Sequence, residues 1–171
     1  MRVVIDAIYR GTAALGAACF VAVLAMILYQ LGGQAFPYTP RAADEFAGYF
    51  MGASAFLALA DTLRGGHHIQ VRLLVDLLET RLRRVVAWLA WGLSTSIAGW
   101  VAWYFARLTW VSIELDERSA GLIALPMWIP QSAMSWGALV FLIALLDAGY
   151  CAARTRAMPD AGLVRAGGRG D

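Results

Sequence analysis

The chain has 171 residues, 60% of them hydrophobic and only 15% charged, where a soluble domain has about 45–50% and about 25%. That balance excludes a disordered chain and argues against a water-soluble globule, which could not hide so much apolar surface. The net charge of +2 is too small to mark a nucleic-acid partner, and none is expected. All 14 basic residues are arginines, which reads as compositional bias and not as a site.

In chain order, the first apolar run covers about Thr12 to Leu31 and carries no charge. Arg2 and Arg10 precede it, and the segment reads as an uncleaved signal anchor. Gly32 to Ala43, with Pro37 and Pro40, is a turn region. Asp44 is expected to cap the next helix, with Glu45 in its first turn against the helix dipole. The second run covers about 45–63 and contains Gly48-x-x-x-Gly52, a helix-packing pattern. The third covers about 85–111 and the fourth about 130–152. Each can cross a bilayer, which takes about 20 apolar residues. Backbone in hydrocarbon must satisfy itself, so the runs are expected to be helices.

Between the second and third runs, residues 69–82 read IQVRLLVDLLETRL. Leu73, Leu74, Leu77 and Leu78 share one helical face. Arg72–Asp76 and Glu79–Arg83 form i, i+4 pairs on or near the other. This predicts an amphipathic helix lying in the interface. Before the fourth run, LPMWIP sets Pro126 and Pro130 around Trp128, which predicts an extended turn over Leu125–Ile129 with Pro130 opening the helix. The tail, 154–171, is rich in Gly, Ala and Arg and is expected to be disordered. The fold class is therefore all-α integral membrane: a domain over 1–153 with four transmembrane helices and one interfacial helix.

Eleven arginines fall in the N-terminal flank, the 64–84 loop and the tail. Arg41 and Arg118 fall in the other two loops. The positive-inside rule then places both termini in the cytoplasm.

Chemistry is harder to find. Asp61, Arg107 and Asp147 lie near span ends, where pairing of Arg107 with Glu114 and of Asp147 with Arg154 is the plain expectation. His67 and His68 are adjacent, whereas haem held by two histidines needs ligands on facing helices and catalytic zinc takes three protein ligands. No cofactor or metal is expected. Cys19 and Cys151 are far apart in apolar segments and suggest no redox pair. The sequence alone leaves a four-helix membrane protein without a site of its own, which suggests an accessory subunit. A stand-alone small exporter, a lipid-modifying enzyme or the haem-bearing membrane anchor of a redox complex are the alternatives.

The second run and its sequel, DEFAGYFMGASAFLALADTLRGGHHIQVRLL, and the segment AGLIALPMWIPQSAMSWG resemble the small membrane subunit (DctQ type) of tripartite ATP-independent periplasmic (TRAP) transporters. Glu45 matches that family's acid near the start of the second span. Arg64, His68, Ile69 and Val71 match its inner motif, and Pro126, Trp128, Pro130 and Gln131 its outer turn. Arg72 stands where the family usually has an acid, with Asp76 one turn later. The resemblance implies a non-catalytic scaffold in the bacterial inner membrane. Its partners would be a large sodium-coupled membrane subunit, a periplasmic substrate-binding protein and membrane lipids. The transporter would take up an organic anion such as a carboxylate. Glu45, Arg64, His68, Arg72, Asp76, Pro126, Trp128, Pro130 and Gln131 would be structural or partner-contact residues.

Overall fold

Long apolar runs without internal proline leave the backbone one way to satisfy its amides in lipid, and the chain takes it four times. A computed structural model describes residues 2–35, 42–64, 80–121 and 123–155. It contains α1 (Arg2–Ala35), α2 (Ala43–Arg64), α3 (Thr80–Glu114) and α4 (Trp128–Thr155). All four are long and apolar enough to span a membrane. At about 1.5 Å per residue, the 34 residues of α1 and the 35 of α3 exceed the roughly 30 Å of hydrocarbon. The expected interfacial helix over 69–82 lies outside the described residues, except that Thr80 to Leu82 belong to α3. The expected disordered tail also lies outside them from residue 156, while Arg154 and Thr155 are helical.

The helices pack in the order α1–α2–α4–α3. Gly16 on α1 lies against Leu57 and Ala58 of α2. Gly52 faces Met134 of α4, whereas Gly48 meets nothing, so only half of the expected Gly-x-x-x-Gly pair is used in packing. At Gly137 the backbones of α2 and α4 nearly touch: a Cβ there would stand 2.6 Å from the carbonyl of Phe56. Residues buried along these seams are mostly alanines, among them Ala53, Ala60, Ala98, Ala144 and Ala148, as close helix approach in a membrane requires. α4 is the interior element, with 44% of its span buried against 11% for α1 and for α3.

α3 runs antiparallel to α4 and is keyed to it by Trp91. The indole N–H donates to the Leu145 carbonyl at 2.8 Å, and the ring occupies the space left by the missing side chain of Gly149. Trp91 is thereby turned into the protein. Several threonine hydroxyls within the spans cost little, because they return to their own helix. Thr12 donates to Ile8, Thr95 to Trp91 and Thr109 to Phe105, each at 2.8 Å.

Two helix starts differ from expectation. The first α2 bond runs from the Phe46 amide to the Ala42 carbonyl at 3.1 Å, so Ala42 is the N-cap and Asp44 the second helical residue. Asp44 and Glu45 still both face the positive end of the dipole. α4 begins at Trp128, making Pro130 its third residue and Trp128–Ile129 helical rather than extended. Proline is tolerated there because first-turn amides have no intrahelical partner to lose.

Candidate functional site

The start of α1 and the end of α4 share one end of the bundle; the connection from α3 to α4 lies at the other, here called the hairpin end. α3 stops in a Schellman turn. The Glu117 amide bonds Ser112 O at 3.1 Å and the Asp116 amide bonds Ile113 O at 3.4 Å, with Asp116 in the left-handed region at φ 46°. The fully buried Ser112 Oγ then donates to Glu117 Oε2 at 2.7 Å. Beyond the turn the chain folds on itself: Arg118 and Pro126 form an antiparallel bridge. The Ser119 amide bonds Leu125 O at 2.8 Å and the Met127 amide bonds Glu117 O at 2.9 Å.

This hairpin is fastened to the start of α2. Helical spacing puts Tyr49 one turn after Glu45, and its hydroxyl donates to Glu45 Oε1 at 2.7 Å. Ser119 Oγ donates to the same carboxylate oxygen and accepts the Gly121 amide at 3.0 Å. Tyr49 has one proton and the carboxylate takes it. Ser119 Oγ at 3.1 Å and Met127 Sδ at 3.6 Å are its close neighbours. Gly121 is a glycine for a local reason, since any Cβ there would enter the Glu45 carboxylate. One half-buried carboxylate thus joins residues 74 positions apart. Beside it opens a cleft of about 510 Å3, bordered by Gln30 of α1, Asp44 and Glu45 of α2, and Ala120–Gly121.

The structure brings some of the expected residues together. Glu45 holds the hairpin that contains Pro126. Trp128, 41% exposed, opens α4, and the buried Pro130 and Gln131 follow it. Gln131 Oε1 is buried and has no hydrogen-bond partner among the described residues. Arg64 ends α2, and its side chain is not described; His67, His68, Arg72 and Asp76 lie outside the described residues. The ion pairs expected at the span ends are replaced by ring contacts. Arg107 lies over Trp103 at 5.6 Å and Arg154 over Tyr150 at 6.0 Å. Among the described residues, neither pairs with the acid expected for it. Also among the described residues, no cluster of His, Cys, Asp and Glu is disposed to hold a metal.

Sequence reasoning missed Tyr49, Ser119, Gly121 and Met127. Tyr49 was findable as the i+4 neighbour of a first-turn acid. The other three lie far along the chain, and nothing local marks them.

The family of tripartite ATP-independent periplasmic transporters, DctQ component, matches residues 23–155, from the middle of α1 to the end of α4. That stretch holds the whole Glu45–Tyr49–Ser119 assembly. No curated protein matches the chain, and no solved structure does. Because the match takes in three of the four helices entire and the last part of the first, the chain belongs to the DctQ family, the small membrane component of TRAP transporters.

Proposed function

We propose that this chain is the fixed, non-catalytic scaffold of a TRAP transporter. It braces a large sodium-coupled membrane subunit in the bilayer and offers its hairpin end to a periplasmic substrate-binding protein that delivers an organic anion, a carboxylate by preference. Family membership and four apolar helices support a multi-pass protein of the bacterial inner membrane associated with other TRAP components. The arginine distribution orients it with both termini and the 64–84 loop in the cytoplasm, so the hairpin end faces the periplasm.

The observation that carries the reading is the division of labour among the residues. Polar groups at the hairpin end are committed to holding a loop in one shape. The edge helices, by contrast, offer broad apolar faces, with Phe20, Leu24 and Leu28 on α1 and Leu89, Leu93 and Ile97 on α3 all exposed. A preshaped loop limits the ordering entropy lost on docking, and an apolar helix face suits a membrane partner. On this reading Glu45, Pro126, Trp128 and Gln131 serve assembly and docking, and Arg64, His68, Arg72 and Asp76 contact partners on the cytoplasmic side.

Gentle detergent extraction from the native membrane tests this. A stoichiometric partner of ten or more spans should co-purify, and the pair with its binding protein should support sodium-driven uptake. Glu45→Ala and Ser119→Ala together should weaken binding-protein docking while leaving the membrane partner bound. A chain recovered alone or only with itself would sink the scaffold reading and favour a stand-alone membrane protein.

A further inference from the structure

We propose that the hairpin-side half of α3 is a phospholipid site in which Arg107 binds the phosphodiester of a lipid in the adjacent leaflet. The inference needs the membrane reading above but none of the TRAP partners.

Arg107 is exposed and lies inside the candidate span Leu82–Glu114. Its depth follows from the antiparallel packing of α3 on α4. Counting from the contact of Gly99 with Leu142, Arg107 is level with Met134, six residues into α4 from Trp128, or about 9 Å. Its side chain does not reach straight for the hairpin. Helical side chains lean toward their helix N-terminus, which for α3 is the end away from the hairpin, and the guanidinium lies over the Trp103 ring one turn deeper, 5.6 Å from its centroid. Trp103 is 58% exposed, Trp110 one turn nearer the hairpin 72%, and Trp100 65%. Trp100 in turn stacks on Tyr104 at 5.9 Å.

The result is an exposed guanidinium one turn deeper than its own backbone, with no ion-pair partner among the described residues and with exposed indoles on either side. An exposed charge at that depth demands a counter-charge. Two features favour a lipid over an acidic side chain of a protein. Trp and Tyr concentrate at headgroup level, where phosphates lie. The face also belongs to an edge helix with 11% of its span buried, a convex surface that acyl chains follow easily. Stacking on Trp103 uses one face of the guanidinium and leaves its N–H edges open for bidentate binding of two phosphate oxygens. Trp110 would lie beside the headgroup and Trp100 beside the upper acyl chain.

The test uses the purified full-length chain, stripped of lipid in detergent. Dioleoyl-phosphatidylglycerol and dioleoyl-phosphatidylethanolamine are titrated, with dioleoylglycerol as the phosphate-free control, and bound lipids are counted by native mass spectrometry. One phospholipid should bind more tightly than the rest, and dioleoylglycerol should not replace it. Arg107→Gln should lose about tenfold in affinity, the scale of a charge-assisted hydrogen-bonded contact, and Arg107→Lys should lose less. Arg118→Gln should change nothing, since Arg118 is an exposed partner of Asp116 outside the helices. Far-UV dichroism and melting curves confirm that each variant is folded. Equal lipid binding by Arg107→Gln and the wild type overturns the proposal, as does tight binding of dioleoylglycerol. Displacement of the lipid by millimolar inorganic phosphate would assign the site to a soluble anion. Loss of a co-purifying membrane protein in Arg107→Gln with phosphatidylglycerol binding unchanged would assign it to an acidic protein partner. Either of these results also overturns it.

Discussion

Replacing Glu45 by Gln keeps the side chain's shape and removes its charge, which isolates what the carboxylate does for the hairpin. Glu45 Oε1 accepts hydroxyl protons from Tyr49 and Ser119. Hydrogen bonds to a charged acceptor contribute roughly 1.5–3 kcal/mol each and neutral ones about 1, so neutralising the acceptor weakens two bonds at once. The group is half-buried, which places the effect at the lower end of that range. The lost interaction with the start of α2 adds about 0.3–1 kcal/mol. The total, about 2 kcal/mol, corresponds to a roughly 30-fold shift toward an undocked hairpin. Hydrogen exchange reads this at the Ser119 and Met127 amides, whose bonds to Leu125 O and Glu117 O within the hairpin lose their support once it leaves α2. Both should exchange about 30 times faster in Glu45→Gln, while amides of α2 and α4 around Gly137 keep their protection. Exchange within threefold of the wild type, or acceleration spread evenly along α2 and α4, would refute the assignment of Glu45 as a local fastener.

Three further outcomes follow from packing. Gly137→Ala should lower stability by about 1–3 kcal/mol through overpacking against rigid backbone, whereas Gly48→Ala, which meets no neighbour, should be neutral or gain up to about 1 kcal/mol of helix propensity; melting in detergent separates the two. Trp91→Phe should cost about 0.5–1.5 kcal/mol for the lost bond to Leu145. It should also partly relieve Gly149→Ala, giving a favourable coupling of about 0.5 kcal/mol or more in a double-mutant cycle. Gln131→Met removes a buried acceptor that has no partner among the described residues at similar volume, so the isolated chain should melt at the same temperature or higher, by up to about 1 kcal/mol in stability, and a marked loss would mean that Gln131 is satisfied.

What could be read from sequence was what depends on one helix at a time. Span number followed from length and hydropathy, and each helix extends beyond its apolar run because polar flanks continue the same hydrogen-bond ladder. Errors arose where a second element intervened. Asp44 has the chemistry of a cap, yet Ala42 supplies the capping carbonyl. Glu114 lies two turns from Arg107 on the same helix, but the Trp103 ring is nearer and captures the guanidinium. Trp91 carries an interfacial residue's signature and is diverted by the absence of a side chain at Gly149, 58 residues away. The docking of Ser119 on Glu45 depends on how α3 ends, and a left-handed Asp116 gives no sequence signal of the kind a glycine would.

The packing order also has a temporal side. Helices leave the ribosome as α1, α2, α3, α4, and the first two can pair at once through Gly16 and Leu57. α3 then enters the bilayer with little to hold it, since it meets α2 sparsely, through contacts such as the Phe56–Phe105 rings at 4.9 Å. Its true neighbour is α4, which has yet to be made. The last helix is therefore the one that slots between two already inserted, seating Gly137 on α2 and receiving Trp91 from α3. Until it arrives, Trp91, Ala98 and Ala102 are exposed to whatever shares the membrane. A chain stopped short of Trp128 would present those surfaces permanently, as a substrate for quality control rather than a smaller scaffold.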